Sequence, residues 1–110
     1  MKLHFKEIPI ISRKKLTDYI LSETHATGKF KAKFFRSLGF NETNIVIFEK
    51  ELRKLFKYQE IKDAEISPYG TKYIIDGEIK TPIKKAVKIR TIWIIEKGQK
   101  RPRFITIYPV

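Results

Sequence analysis

The sequence predicts an α+β fold, with N-terminal helices packed on a C-terminal antiparallel β-sheet. Two patterns and one absence lead there. Apolar residues recur at helical spacing up to about Lys57 and alternate with period two beyond it. No repeat, low-complexity tract or Pro/Gly/Ser-rich linker interrupts the chain, so residues 1–110 read as a single ordered domain.

Ser12 is placed as an N-cap, with Ile11 before it stapled to Leu16 four positions into the helix. Leu16 and Ile20 continue that face to about Leu21, and the polar run 22–28 reads as a loop. A second helix extends from about Lys29 to Leu38 and ends at Gly39 as a left-handed C-cap. Asn41 or Asn44 caps a third helix to about Lys57, with Ile45, Phe48, Leu52, Leu55 and Phe56 on one stripe. Strands over Ala64–Ser67 and Thr71–Ile75 flank the turn Pro68-Tyr69-Gly70, Asp76-Gly77 reads as a further turn, and 78–85 as a loop. Ala86–Glu96, rich in Val, Ile, Thr and Trp, is the strongest strand signal. Lys97-Gly98-Gln99-Lys100 turns it back into Arg103–Tyr108, which Pro109 stops.

Charge narrows the function. There are 24 Lys and Arg against 12 Asp and Glu, a net charge of +12. That excess costs stability by self-repulsion and implies a polyanionic partner, RNA first, then an acidic protein. The absence of cysteine excludes disulfides, thiolate metal sites and cysteine nucleophiles, and fits a cytoplasmic location. No stretch approaches the roughly 18 apolar residues a transmembrane helix needs, so no membrane association is expected. Phosphate-binding Gly-Lys-Ser/Thr and Gly-x-Gly-x-x-Gly loops are absent. With two histidines, and with Asp18, Asp63 and Asp76 in unrelated contexts, neither a zinc site nor a two-metal nuclease site is expected. No cofactor is expected.

Two groupings stand out as candidate chemistry. On the second helix, wheel arithmetic puts Phe30, Phe34, Phe35 and Leu38 on one arc and Lys29, Lys33 and Arg36 opposite, as a solvated or phosphate-facing stripe. Lys31 falls inside the apolar arc, where it must either snorkel or meet an anion. In the best strand Lys88, Arg90, Ile92 and Ile94 share one face, and in the last strand Phe104, Thr106 and Tyr108 do. Pairing the aliphatic faces brings Arg90, Thr106 and Tyr108 together, as a phosphate site or as an arginine stacked on an aromatic. His25, in the loop before the second helix, is either an exposed loop residue or a proton relay.

The run His25-Ala26-Thr27-Gly28-Lys29-Phe30-Lys31-Ala32-Lys33-Phe34-Phe35, then Gly39-Phe40, resembles a small bacterial domain family with the pattern His-x-x-Gly-x-x-Lys-Ala-x-Phe-Phe. Tyr69-Gly70-x-x-Tyr73-x-x-Asp76-Gly77, Arg90-Thr91-Ile92-Trp93 and Thr106-Ile107-Tyr108-Pro109 extend the match over nearly the whole chain. In order and residue type this pattern is similar to the barnase, EndoU, colicin and RelE group of RNase toxins. The resemblance implies a metal-independent endoribonuclease leaving a 2′,3′-cyclic phosphate. It also implies a substrate such as tRNA or mRNA and an acidic antitoxin or immunity protein as partner. It makes His25, Lys31, Arg90, Thr106 and Tyr108 the catalytic candidates, with Lys29, Lys33, Arg36, Lys88 and Tyr73 binding RNA. A non-catalytic RNA- or DNA-binding module, or a basic protein-interaction domain, is the alternative.

Overall fold

A computed structural model describes residues 7–24 and 29–110. Three helical segments precede a four-stranded antiparallel sheet whose spatial order follows the sequence, β1-β2-β3-β4. The fold class is therefore α+β, as the change of period implies.

Ser12 caps the first helix by accepting from the Lys15 amide; α1 (Arg13–Lys15) then widens into a π-helical turn, Leu16–Ile20. Leu16, Ile20 and Leu21 are fully buried beneath it. Helix α2 (Lys29–Ser37) ends before Gly39, whose φ of +96° is the left-handed conformation expected there. Asn41 caps a 3₁₀ turn, Glu42–Asn44, through a reciprocal capping box with Asn44, and α3 (Ile45–Tyr58) follows directly. Both asparagines thus serve, one as the cap and the other as its box partner.

The core lies between the helices and one face of the sheet. Phe35 and Phe40 pack on Phe48, and Phe56 of α3 lies 4.6 Å from the Trp93 ring centre. Trp93, Thr91 and Ile89 present the same face of the sheet, as period-two reading expects, and all are fully buried. Thr91 explains how a tryptophan is accommodated there. Its hydroxyl accepts the Trp93 indole N–H at 2.7 Å and donates to the Ile75 carbonyl at 2.7 Å, so no buried polar group is left open.

Several expectations are corrected. Phe30 is 75% exposed rather than part of the buried arc; Ala32, Phe35 and Leu38 form the buried side of α2. Strand β1 (Ile61–Ser67) begins earlier than expected, and β2 (Gly70–Lys80) runs unbroken through Asp76-Gly77 and into the first part of the expected loop, to Lys80. Neither residue is there to turn the chain. Asp76 faces an arginine across the sheet. At Gly77 a Cβ would lie 2.8 Å from Gln59 Cγ and 3.2 Å from Leu55 Cδ1, so glycine lets α3 approach the strand.

Strand β3 (Ala86–Glu96) has the bounds expected, and β4 (Arg103–Pro109) pairs with it. A bulge at Ile105 places Phe104 opposite Trp93 in the core, whereas Thr106 and Tyr108 lie opposite Ile92 and Arg90. Phe104 therefore does not share the face of Thr106. Ile10 adds a short parallel bridge to the outer edge of β4 at Arg103. Among the described residues no helix is long and apolar enough to cross a membrane.

Candidate functional site

The bulge and the bridge together define a cleft. Ile10 pairs with β4 only near Arg103, so the edge beyond Ile105 faces the π-helical turn and α2 instead. A cleft of about 730 Å³ opens there, lined by Ser12, Lys14, Lys15, Asp18, Tyr19, Lys31, Ile105, Thr106 and Tyr108.

Lys31 sits at its centre. Its Nζ donates to Thr106 Oγ1 at 3.0 Å and lies 5.9 Å and 5.7 Å from the ring centres of Tyr19 and Tyr108. No carboxylate pairs with it among the described residues. Burial lowers its pKa below the usual lysine range. Lys15 on the facing helix is lowered too, first by burial and then by the positive charge of Arg103. Burial disfavours each ammonium's charged form, and an anion entering the cleft would offset that cost.

Behind the cleft runs a row of side chains perpendicular to the strands. Register sets Asp76 of β2 opposite Arg90 of β3, and Arg90 opposite Tyr108 of β4. Arg90 grips both carboxylate oxygens of Asp76, Nε to Oδ1 at 2.8 Å and Nη2 to Oδ2 at 2.9 Å. Asp76, first by hydrogen bonding and then by its charge, raises the arginine above its ordinary pKa against the opposing effect of burial. Arg90 also holds the Asp76 carboxyl below its usual range, against the opposing effect of burial. Arg90 thus lies between Asp76 and Tyr108 in the row, and its charge is largely matched by Asp76.

The structure brings Lys31, Thr106 and Tyr108 into the cleft, with Arg90 one position removed. His25 lies outside the described residues. Of the expected RNA contacts, Lys29, Lys33 and Lys88 are exposed. Arg36 and Tyr73 are otherwise engaged. Arg36 bridges Glu23 at 3.1 Å and Glu42 at 2.6 Å and donates to the Leu21 carbonyl at 2.8 Å, pinning the end of the first helical segment to α2. Tyr73 packs against the hydrophobic core on the face opposite the Arg90 row.

Sequence reasoning missed Lys14, Lys15, Asp18, Tyr19 and Asp76. A signal for four of them existed: Lys14/Asp18 and Lys15/Tyr19 are i, i+4 pairs beside the buried Leu16 and Ile20. Asp76 carried none, because Asp-Gly is the ordinary signature of a turn. Among the described residues no three His, Asp or Glu side chains gather in a way that could hold a metal ion.

The family model of a domain of unknown function, DUF6883, matches residues 2–110. No curated protein matches the chain. Among solved structures, the fold is similar to a chain in a contact-dependent growth inhibition toxin–immunity protein complex from Klebsiella pneumoniae 342. The likeness has a TM-score of 0.73 at 19% identity and covers 92% of each chain.

Proposed function

We propose that this chain, which belongs to the DUF6883 family, is a metal-independent endoribonuclease acting as the toxin of a toxin–antitoxin or toxin–immunity pair. The observation that carries the reading is the half-buried Lys31 ammonium. It has a hydroxyl and two aromatic rings around it, no carboxylate ion-paired with it among the described residues, and a +12 chain behind it. A phosphodiester supplies the missing negative charge. The fold of a chain from a toxin–immunity complex is consistent with the biological half of the proposal.

In this reading the RNA's own 2′-oxygen attacks the adjacent phosphorus. The O2′–P bond forms and the P–O5′ bond breaks, leaving a 2′,3′-cyclic phosphate and a 5′-hydroxyl. His25 takes the 2′-proton. Lys31 neutralises charge developing on the phosphate oxygens and gives its proton to the departing 5′-oxygen, a transfer its lowered pKa favours. Thr106 holds Lys31 in place, and Tyr108, across the strand pair from Arg90, positions the phosphate. The acidic antitoxin or immunity protein has a candidate seat on α3. Lys50, Lys54 and Lys57 are exposed there beside exposed Val46 and Tyr58, and none of the five lines the cleft.

Incubating purified protein with end-labelled RNA in EDTA and mapping the new ends tests the reading. Fragments ending in 2′,3′-cyclic phosphate, lost in His25→Ala and Lys31→Ala, are expected. RNA bound by folded protein but never cut, with or without magnesium, would leave a binding module in its place.

A further inference from the structure

The cleft holds one carboxylate that the proposed chemistry does not use. Asp18 lines the same wall as Lys14, Lys15 and Tyr19, yet no lysine or arginine among the described residues lies within ion-pair distance of it. Among the described residues its carboxylate has one hydrogen-bond partner, the hydroxyl of its neighbour Thr17 at 3.1 Å, a donor shared with the Arg13 and Lys14 carbonyls, which leaves Oδ2 and further lone pairs of Oδ1 open. A carboxylate here would repel a phosphate, so it does not belong to the phosphate subsite. Next to it the Tyr19 ring faces the cleft and is 36% exposed, a platform for one flat group.

Resting on the nuclease reading, we infer that the cleft takes a single unpaired nucleotide, its phosphate at Lys31 and its base stacked on Tyr19 with a guanine edge donating to Asp18. Three considerations lead there. A base–aromatic stack requires an unstacked base, which a duplex does not offer. An ionised carboxylate can only accept, so it selects a base edge that presents N–H donors. Guanine presents N1–H and N2–H₂ side by side and can engage both oxygens, whereas uracil offers one N–H flanked by two carbonyls that the carboxylate repels.

Binding of 2′-O-methyl oligonucleotides, which cannot undergo 2′-oxygen attack, separates this inference from the question of cleavage. The probes are fluorescein-labelled U4GU4, U9, and U4GU4 annealed to its complement, read by fluorescence anisotropy at fixed salt. The wild type is expected to bind U4GU4 about tenfold tighter than U9, the scale of one bidentate base contact, and both single strands tighter than the duplex. In Asp18→Ala the preference for guanine should vanish while U9 binds as well or better, since an anion has been removed. Tyr19→Ala should weaken both strands and Tyr19→Phe neither. A duplex bound as tightly as the single strands, or a guanine preference intact in Asp18→Ala, overturns the inference. Cleavage of all-ribose RNA that persists in Asp18→Ala with altered base choice keeps the nuclease reading and the base reading distinct.

Discussion

Replacing Thr91 by valine removes one oxygen from the centre of the core and changes almost nothing in volume or β-propensity. By hydrophobic burial alone the substitution should stabilise the protein. The hydrogen-bond geometry predicts the opposite. Two bonds of 2.7 Å disappear, and the indole N–H of Trp93 is left in a site where Trp93, Thr91 and Ile75 are all fully buried. An unsatisfied buried donor costs about 1–3 kcal/mol, and the Ile75 carbonyl adds part of the same penalty, so a loss of about 2 kcal/mol is expected. In a domain of this size that lowers Tm by about 10 °C. Thr91→Ser keeps the hydroxyl and gives up one methyl group, for about 1 kcal/mol. Urea unfolding followed by the emission of Trp93, the one tryptophan in the chain, measures both. The expected order of stability is Thr, then Ser, then Val; a valine variant as stable as the wild type would refute the reasoning.

Lys31→Ala should lower the cleavage rate by about 10²–10³-fold with little change in urea midpoint, because the lysine is only half-buried and ion-paired to no described residue. Cleavage should fall on the alkaline side as Lys31 loses its proton below the usual lysine range. Lys31→Arg should move the alkaline limb upward. Stability should be level above the ordinary carboxylate range and decline as pH falls through the lowered pKa values of Asp76 and Glu49. At Glu49 burial raises the pKa, but hydrogen bonds from Arg53 and Arg13 outweigh it. Gly77→Val should destabilise by about 1–3 kcal/mol, read by urea unfolding, since its side chain would meet Gln59 and Leu55.

The fold was legible where one physical signal acted alone. Strand β3 alternates without interruption, and its bounds could be read directly; the caps at Ser12, Gly39 and Asn41 are local chemistry that tertiary packing does not override. Legibility failed where a residue answered to a distant neighbour. Asp76-Gly77 has the composition of a turn, but its aspartate serves Arg90 and its glycine serves α3. The bulge at Ile105 leaves no mark in the composition, so parity carried through it misassigned Phe104 while placing Thr106 and Tyr108 beside Arg90 correctly. In the cleft the same split recurs. Lys31 announced itself as a cation on an apolar arc. Arg36 looked like a free cation because Glu23 and Glu42 are its partners only in three dimensions.

The row from Asp76 through Arg90 to Tyr108 crosses three strands, one residue from each. Its members come together only when both hairpins have closed in one register, because a slip of a single residue turns every side chain of the slipped strand to the other face. The hydrogen bond from Lys31 to Thr106 closes a loop spanning 75 positions and needs the helices docked on that sheet. A chain with a misaligned hairpin would keep its charge while losing the alignment of Asp76, Arg90 and Tyr108. The row therefore acts as a checksum on the sheet, and the proposed nuclease activity should report correct folding more sharply than charge-driven binding would.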